Sequence, residues 1–134
     1  MISPHPPQKR TILCIDDDEA ILRYEKMLLE RSGYAVLSAA SPQQGLRLVT
    51  MCDYDAVLLD YEMPGMNGQQ VAFEIRRIRP ELTIILLSGS DVPTDVLPSF
   101  DAFVPKLEAS RQLLPMIAEL SSRPHVPQQK PWAS

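Results

Sequence analysis

The stretch Thr11-Ile12-Leu13-Cys14-Ile15-Asp16-Asp17-Asp18-Glu19 decides the fold. The run from Thr11 to Ile15 is too short for a helix, carries no charge and stops abruptly on acids. That is the pattern of a strand buried on both faces, not of one with a wet side. Asp18 and Glu19 then open an amphipathic helix, where negative charge is favoured by the backbone dipoles. Its apolar residues recur as Ile21, Tyr24 and Leu28, with Leu22 and Leu29 beside them, and Gly33 is its stop. Outward from this unit the alternation repeats. Tyr34 to Ala39 reads as a second strand, and Ser41-Pro42 as an N-cap with proline at the first position of a helix that turns Leu46 and Val49 inward. Ala56-Val57-Leu58-Leu59-Asp60 is another buried strand, and this one ends on a carboxylate. A Gly and Pro loop, Met63 to Gly68, leads to a helix carrying Val71, Ile75 and Ile78 before Pro80. Thr83 to Ser88 is a fourth strand, Ala102-Phe103-Val104 a shorter fifth, and Ala109 to about Leu120 a last helix with Leu113, Ile117 and Leu120 on one side. Strands that are apolar throughout, alternating with helices, predict a parallel sheet covered on both faces: a doubly wound α/β domain.

The composition agrees. A chain of 134 residues and 15.0 kDa, 45% apolar and 22% charged, suits one soluble core and leaves no room for separate cofactor and substrate domains. Seventeen acids against thirteen bases give a net charge of −4 and a pI near 5.1, so the basic footprint of a nucleic-acid or anionic-membrane binder is missing. No apolar run reaches the ~18 residues of a membrane span and no signal core opens the chain, which points to the cytoplasm. Cys14 and Cys52 lack metal-ligand spacing and read as two buried thiols. The thirteen prolines bracket the domain. Pro4, Pro6 and Pro7 mark residues 1–9 as a disordered N-terminal tail, and Pro124, Pro127 and Pro131 mark residues 121–134 as a Pro-rich extended one, leaving residues 10–120 as the folded unit. His5 and His125 fall in those tails, away from any helix that would make a phosphodonor histidine.

In an open parallel sheet, ligands bind beyond the carboxyl ends of the strands, where the winding reverses. There the sequence places Asp16 and Asp17, Asp60, Ser88, and Lys106 just beyond the fifth strand. Clustered carboxylates repel one another unless a hard divalent cation compensates them, and Mg²⁺ suits few carboxylates and a shared phosphate oxygen. A lysine and a serine hydroxyl add a point charge and a hydrogen bond for an anion. Neither glycine-rich nucleotide motif occurs, so the chemistry that remains is a carboxylate that itself becomes phosphorylated.

The residues Ile15-Asp16-Asp17, Leu58-Leu59-Asp60 followed by Met63-Pro64-Gly65-Met66-Asn67-Gly68, Leu86-Leu87-Ser88-Gly89, and Phe103-Val104-Pro105-Lys106 resemble the receiver domain of two-component response regulators, in its single-domain form. The resemblance covers about Arg10 to Leu120. It implies a flavodoxin-like five-stranded parallel sheet of order 2-1-3-4-5. It implies Asp60 as phosphoacceptor, Asp16 and Asp17 as the metal-binding pair, and Glu62 as the residue whose backbone carbonyl completes the Mg²⁺ shell with Asp60. Ser88 matches the hydroxyl that follows the phosphoryl group, Lys106 the cation that pairs with it, and Phe103 the aromatic that turns inward on activation. The partners implied are a histidine kinase or phosphotransfer protein and a downstream protein target, with self-catalysed transfer and hydrolysis but no external turnover.

Two departures stand out. The family usually has proline directly after the lysine, often through a cis bond, whereas here Pro105 precedes Lys106 and Leu107 follows. A cis bond to Leu107 would cost about 3 kcal/mol, so the bond is expected trans and the loop on a different path. Pro93 and Pro98 bracket Thr94 to Leu97, so the fourth helix should be one turn or absent and strand five poorly covered. The usual partner face built on that helix would then be lost. Two alternatives accompany the leading reading. One is a degenerate receiver that only binds, suggested by the altered loop. The other is an aspartyl-phosphate phosphohydrolase, for which Glu62 stands two residues after Asp60 but no cap domain fits.

Overall fold

The computed structural model describes residues 9–89 and 91–121. The two Pro-rich tails, apart from Lys9 and the backbone of Ser121, lie outside the described residues. In chain order the elements are β1 (Thr11–Ile15), α1 (Glu19–Arg31), β2 (Ala35–Ala39), α2 (Pro42–Met51), β3 (Ala56–Asp60), α3 (Gly68–Ile78) and β4 (Thr83–Ser88). A 3-10 helix (Thr94–Ser99), β5 (Ala102–Pro105), a 3-10 turn (Lys106–Glu108) and α4 (Ala109–Ser121) complete them. The strands form one sheet in the order β2-β1-β3-β4-β5, every pair parallel. The chain winds one way from β1 to β2 and the other way from β1 through β3 to β5. The reversal therefore opens a crevice at the carboxyl ends of β1 and β3.

Local signals set the helix starts. Asp18 accepts from the amides of Ala20 (2.9 Å) and Ile21 (3.4 Å), Ser41 Oγ accepts from Gln44 N–H (3.2 Å), and Asn67 and Gln70 form a reciprocal capping box. Although each strand is apolar through its length, alternate residues serve different cores. Leu13, Ile15, Val57, Leu59, Ile84 and Leu86 pack under α2, α3 and the 3-10 helix, while Ile12, Cys14, Leu58, Ile85, Leu87 and Val104 pack under α1 and α4.

Several expectations change. In α1 the face on the sheet is Leu22, Glu25 and Leu29, whereas Tyr24 is 40% exposed and Ile21 and Leu28 are half-buried. The buried stripe is thus rotated from the expected one and carries a glutamate. Cys14 is buried as expected, but Cys52 is exposed, because it is the C-cap that follows α2 and its extended backbone leaves the helix just after Val49, the last residue of α2 to enter the core. Between β4 and β5 stands the shortened helix the prolines dictate, yet β5 is not bare. Val96 and Phe100 from that segment are buried against the sheet, and Phe103 packs half-buried beside them. Asp101 secures the approach to β5: its amide donates to Ile84 carbonyl (2.8 Å), while its carboxylate accepts from Ile84 N–H (2.7 Å) and from Arg76 (3.1 Å). α4 runs through Pro115 and still buries Leu113 and Ile117.

Candidate functional site

The site is built from the ends of β1, β3 and β5. Asp16 follows β1 directly, and its amide donates to Ala39 carbonyl (3.1 Å), which prolongs the β1-β2 ladder and locks the side chain at the sheet edge. One carboxylate oxygen of Asp16 accepts from Asp18 N–H at 2.9 Å, and the other meets Lys106 Nζ at 3.0 Å. Asp60, the last residue of β3, lies 3.1 Å from the same Nζ. Asp16 and Asp60 are only 2% and 6% exposed, while Asp17 stands open to solvent. One oxygen from each of these three acids lies within 4.8 Å of the others.

Burial and then the negative charge of Asp16 push the Asp60 carboxyl up from 3.8 to about 6, against the pull of Lys106. Burial opposes charge on Lys106, but its bonds to Asp16 and Asp60 outweigh this and hold the ammonium above its ordinary value. The three clustered donors are all carboxylate oxygens, with no thiolate or imidazole among them. The residues therefore fit a hard divalent cation such as Mg²⁺.

The remaining sequence-derived residues fall around this centre. Ser88 ends β4, is 2% exposed, and sits in register with Pro105, one residue before Lys106. A Cβ on the following Gly89 would lie 3.5 Å from Lys106 Cδ, so a bare backbone flanks the lysine stem. Glu62 is exposed on the loop after β3, and its carboxylate is outside the three-acid cluster. Phe103 lies on β5 opposite Leu86. Every described peptide bond is trans, that between Lys106 and Leu107 included. The displaced proline has not kept Lys106 from both acids.

Sequence reading missed Glu25. It is 2% exposed, hydrogen-bonded with Cys14, and pushed up from 4.5 to about 8 by burial and then by Asp16. The signal available was a single acid three residues after Leu22 and four before Leu29, inside a helical stripe.

Fold and site together define a doubly wound α/β domain whose strand ends gather three acids and a lysine. Residues 12–117 match the response regulator receiver domain family, and the chain belongs to it. It is 38% identical over 87 residues to the transcriptional regulatory protein AfsQ1 of Streptomyces coelicolor, covering 65% of this chain and 38% of that one. It is 31% identical over 116 residues to the response regulator MprA of Mycolicibacterium vanbaalenii, covering 84% of this chain and 50% of that one. The chain thus spans half or less of the length of these relatives. Among solved structures, a CheY-like receiver domain protein from Methanospirillum hungatei superposes with a TM-score of 0.80 at 30% identity, covering 85% of this chain and 94% of that one. The response regulator TrrA of Thermotoga maritima, solved with Mg(2+)-BeF, superposes at 0.78 and 31% identity, covering 83% and 98%. Receiver domains are signalling modules that bind Mg²⁺ at an acidic pocket and interact with histidine kinases or phosphotransfer proteins. Among the described residues no helix is long and apolar enough to cross a membrane.

Proposed function

We propose that this chain accepts a phosphoryl group on Asp60 from a histidine kinase or phosphotransfer protein, in a Mg²⁺-dependent reaction that switches its binding to a downstream protein. The observation that carries this reading is the placement of one buried carboxylate, Asp60, at a strand end, 3.1 Å from an ammonium and clustered with Asp16 and Asp17. With its carboxyl at about 6, Asp60 is largely ionised near neutral pH and available as a nucleophile. An oxygen of Asp60 forms the new bond to phosphorus as the bond from phosphorus to the donor histidine nitrogen breaks, and the imidazole nitrogen keeps the electron pair and takes up a proton. Asp16, Asp17 and Asp60, with the backbone carbonyl of Glu62, would hold Mg²⁺, which when bound neutralises charge on the transferring oxygens. Lys106, already paired with Asp60, supplies a second positive charge where the phosphoryl oxygens arrive. Ser88, on the neighbouring strand end, offers its hydroxyl to the phosphoryl group, and Phe103 moves inward in response. The same groups promote hydrolysis of the acyl phosphate, so the chain resets itself without turning over an external substrate.

The altered loop is what would favour a binding-only receiver, yet Lys106 reaches both acids despite it. For the phosphohydrolase reading the second acid, Glu62, is exposed and apart from the cluster. Incubation with acetyl phosphate and Mg²⁺ should add one phosphoryl group to the wild-type chain, none to Asp60→Asn, and none when the metal is chelated. Equal labelling of Asp60→Asn would overturn the assignment, and an unlabelled wild type would favour the binding-only reading.

A further inference from the structure

The short helix between β4 and β5 leaves part of α3 uncovered. A groove of about 580 Å³ runs between them, lined by Met66, Phe73, Glu74 and Arg76 on one side and Pro98 and Ser99 on the other. Phe73 is 65% exposed, an aromatic ring on a helix that buries Val71, Ala72 and Ile75 and leaves Ile78, at its last position, 37% exposed. The groove's flank is acidic. Residues 91–101 carry Asp91, Asp95 and Asp101 and no cation; Asp101 is matched by Arg76 and Glu74 by Arg77, so Asp91 and Asp95 give that flank its negative charge.

The chain continues beyond α4 for the thirteen residues 122–134, which hold Arg123 and Lys130, no acid, three prolines and the sole tryptophan, Trp132. α4 follows β5 and packs on β4 and β5, so like the helix of any parallel crossover it runs back toward the edge where those strands begin. That is the edge where Ser99 leads through Asp101 into β5, at one end of the groove, with only edge strand β5 to pass around. Thirteen extended residues reach up to about 43 Å at ~3.3 Å each, ample for that path.

We propose that residues 122–134 occupy this groove in the same molecule, with the indole of Trp132 against Phe73 and Met66 and the basic side chains toward the acidic flank. Prolines hold such a segment extended before it docks, which lowers the entropy cost of an aromatic-lined seat. The face that a longer fourth helix would have formed is then made by the chain's own C-terminal segment. The assignment is independent of the phosphotransfer reading.

Trp132, being the only tryptophan, reports directly. In the full chain its emission should be blue-shifted, and quenched several-fold less by iodide than that of a free peptide of residues 122–134, at every protein concentration. Phe73→Ala and Met66→Gln should each return emission and quenching toward the peptide values, while Met51→Ala, at an exposed methionine on α2, should not. Peptide-like emission in the wild type, or emission unmoved by Phe73→Ala and Met66→Gln alike, would overturn the proposal. So would a blue shift that grows with concentration, which would place a second copy in the groove.

Discussion

Two crossovers lie side by side in this sheet and differ in nearly every local respect. The one from β3 to β4 carries an 11-residue α-helix, opened by a capping box and burying Gly68, Val71, Ala72 and Ile75. The one from β4 to β5 carries six residues of 3-10 helix with no side-chain cap, a proline inside and Val96 as its buried residue. Both return the chain to the sheet in register, Asp60 beside Leu87 and Ser88 beside Pro105. The difference teaches that the strand ladder, not the helices, positions Asp60, Ser88 and Lys106. A slip of one residue would turn every apolar strand residue to the wrong core, so register is held whatever the crossover looks like.

The largest contrast should appear in amide exchange. Amides of residues 94–99 should exchange at least about 10³-fold faster than those of 71–78, because a capped and buried helix opens only with the domain whereas a 3-10 helix frays locally. Rates within tenfold of each other would remove the contrast.

Next come two glycines that follow the strands feeding these crossovers. A Cβ at Gly68 would lie 2.8 Å from Asp60 carbonyl oxygen and 2.9 Å from Tyr61 Cα, both backbone. Gly68→Ala should therefore cost about 1–3 kcal/mol in thermal or urea unfolding. At Gly89 the nearest atom would be the flexible Lys106 Cδ at 3.5 Å, and Gly89→Ala should stay within about 0.5 kcal/mol. Equal costs would show that both connections are equally tight.

The strand ends themselves differ in charge. Because the Asp60 carboxyl is raised from 3.8 to about 6, the folded state is favoured by its protonated form, and that stability is lost as pH rises from about 4 through 6. Asp60→Asn should leave stability at pH 4 unchanged and raise it by about 1–2 kcal/mol at pH 7, whereas Ser88→Ala should leave this pH dependence as it is. Glu25, raised from 4.5 to about 8, should add a further decline as pH rises toward 8, and Glu25→Gln should abolish it. Denaturation midpoints from pH 4 to 9 check all three.

The smallest effect is at the caps. Asn67→Ala removes the side chain that accepts from Gln70 N–H at 2.9 Å and should cost about 1 kcal/mol. Thr94→Ala, at the start of an uncapped 3-10 helix, should cost under about 0.5 kcal/mol by the same unfolding measurement.

By itself the sequence determined the order of elements, the parallel sheet and the acids at the strand ends. Each of those signals is local: an apolar run with a charged stop at Ile15-Asp16 or Leu59-Asp60, an N-cap at Ser41, prolines that forbid a long helix after Ser88. Tertiary structure decided what depends on partners distant in the chain. The position of Pro105 announced an altered loop, but the β4-β5 register sets where Lys106 emerges, and attraction to Asp16 and Asp60 holds its ammonium there. Tyr24 and Glu25 are neighbours on one helix, and only the sheet beneath α1 determines that the tyrosine faces water while the glutamate is buried against Cys14. Hydropathy would assign them the other way. A buried carboxyl is tolerated because burial and Asp16 keep its proton on and Cys14 supplies a hydrogen bond, conditions that exist only once β1 and α1 have packed together.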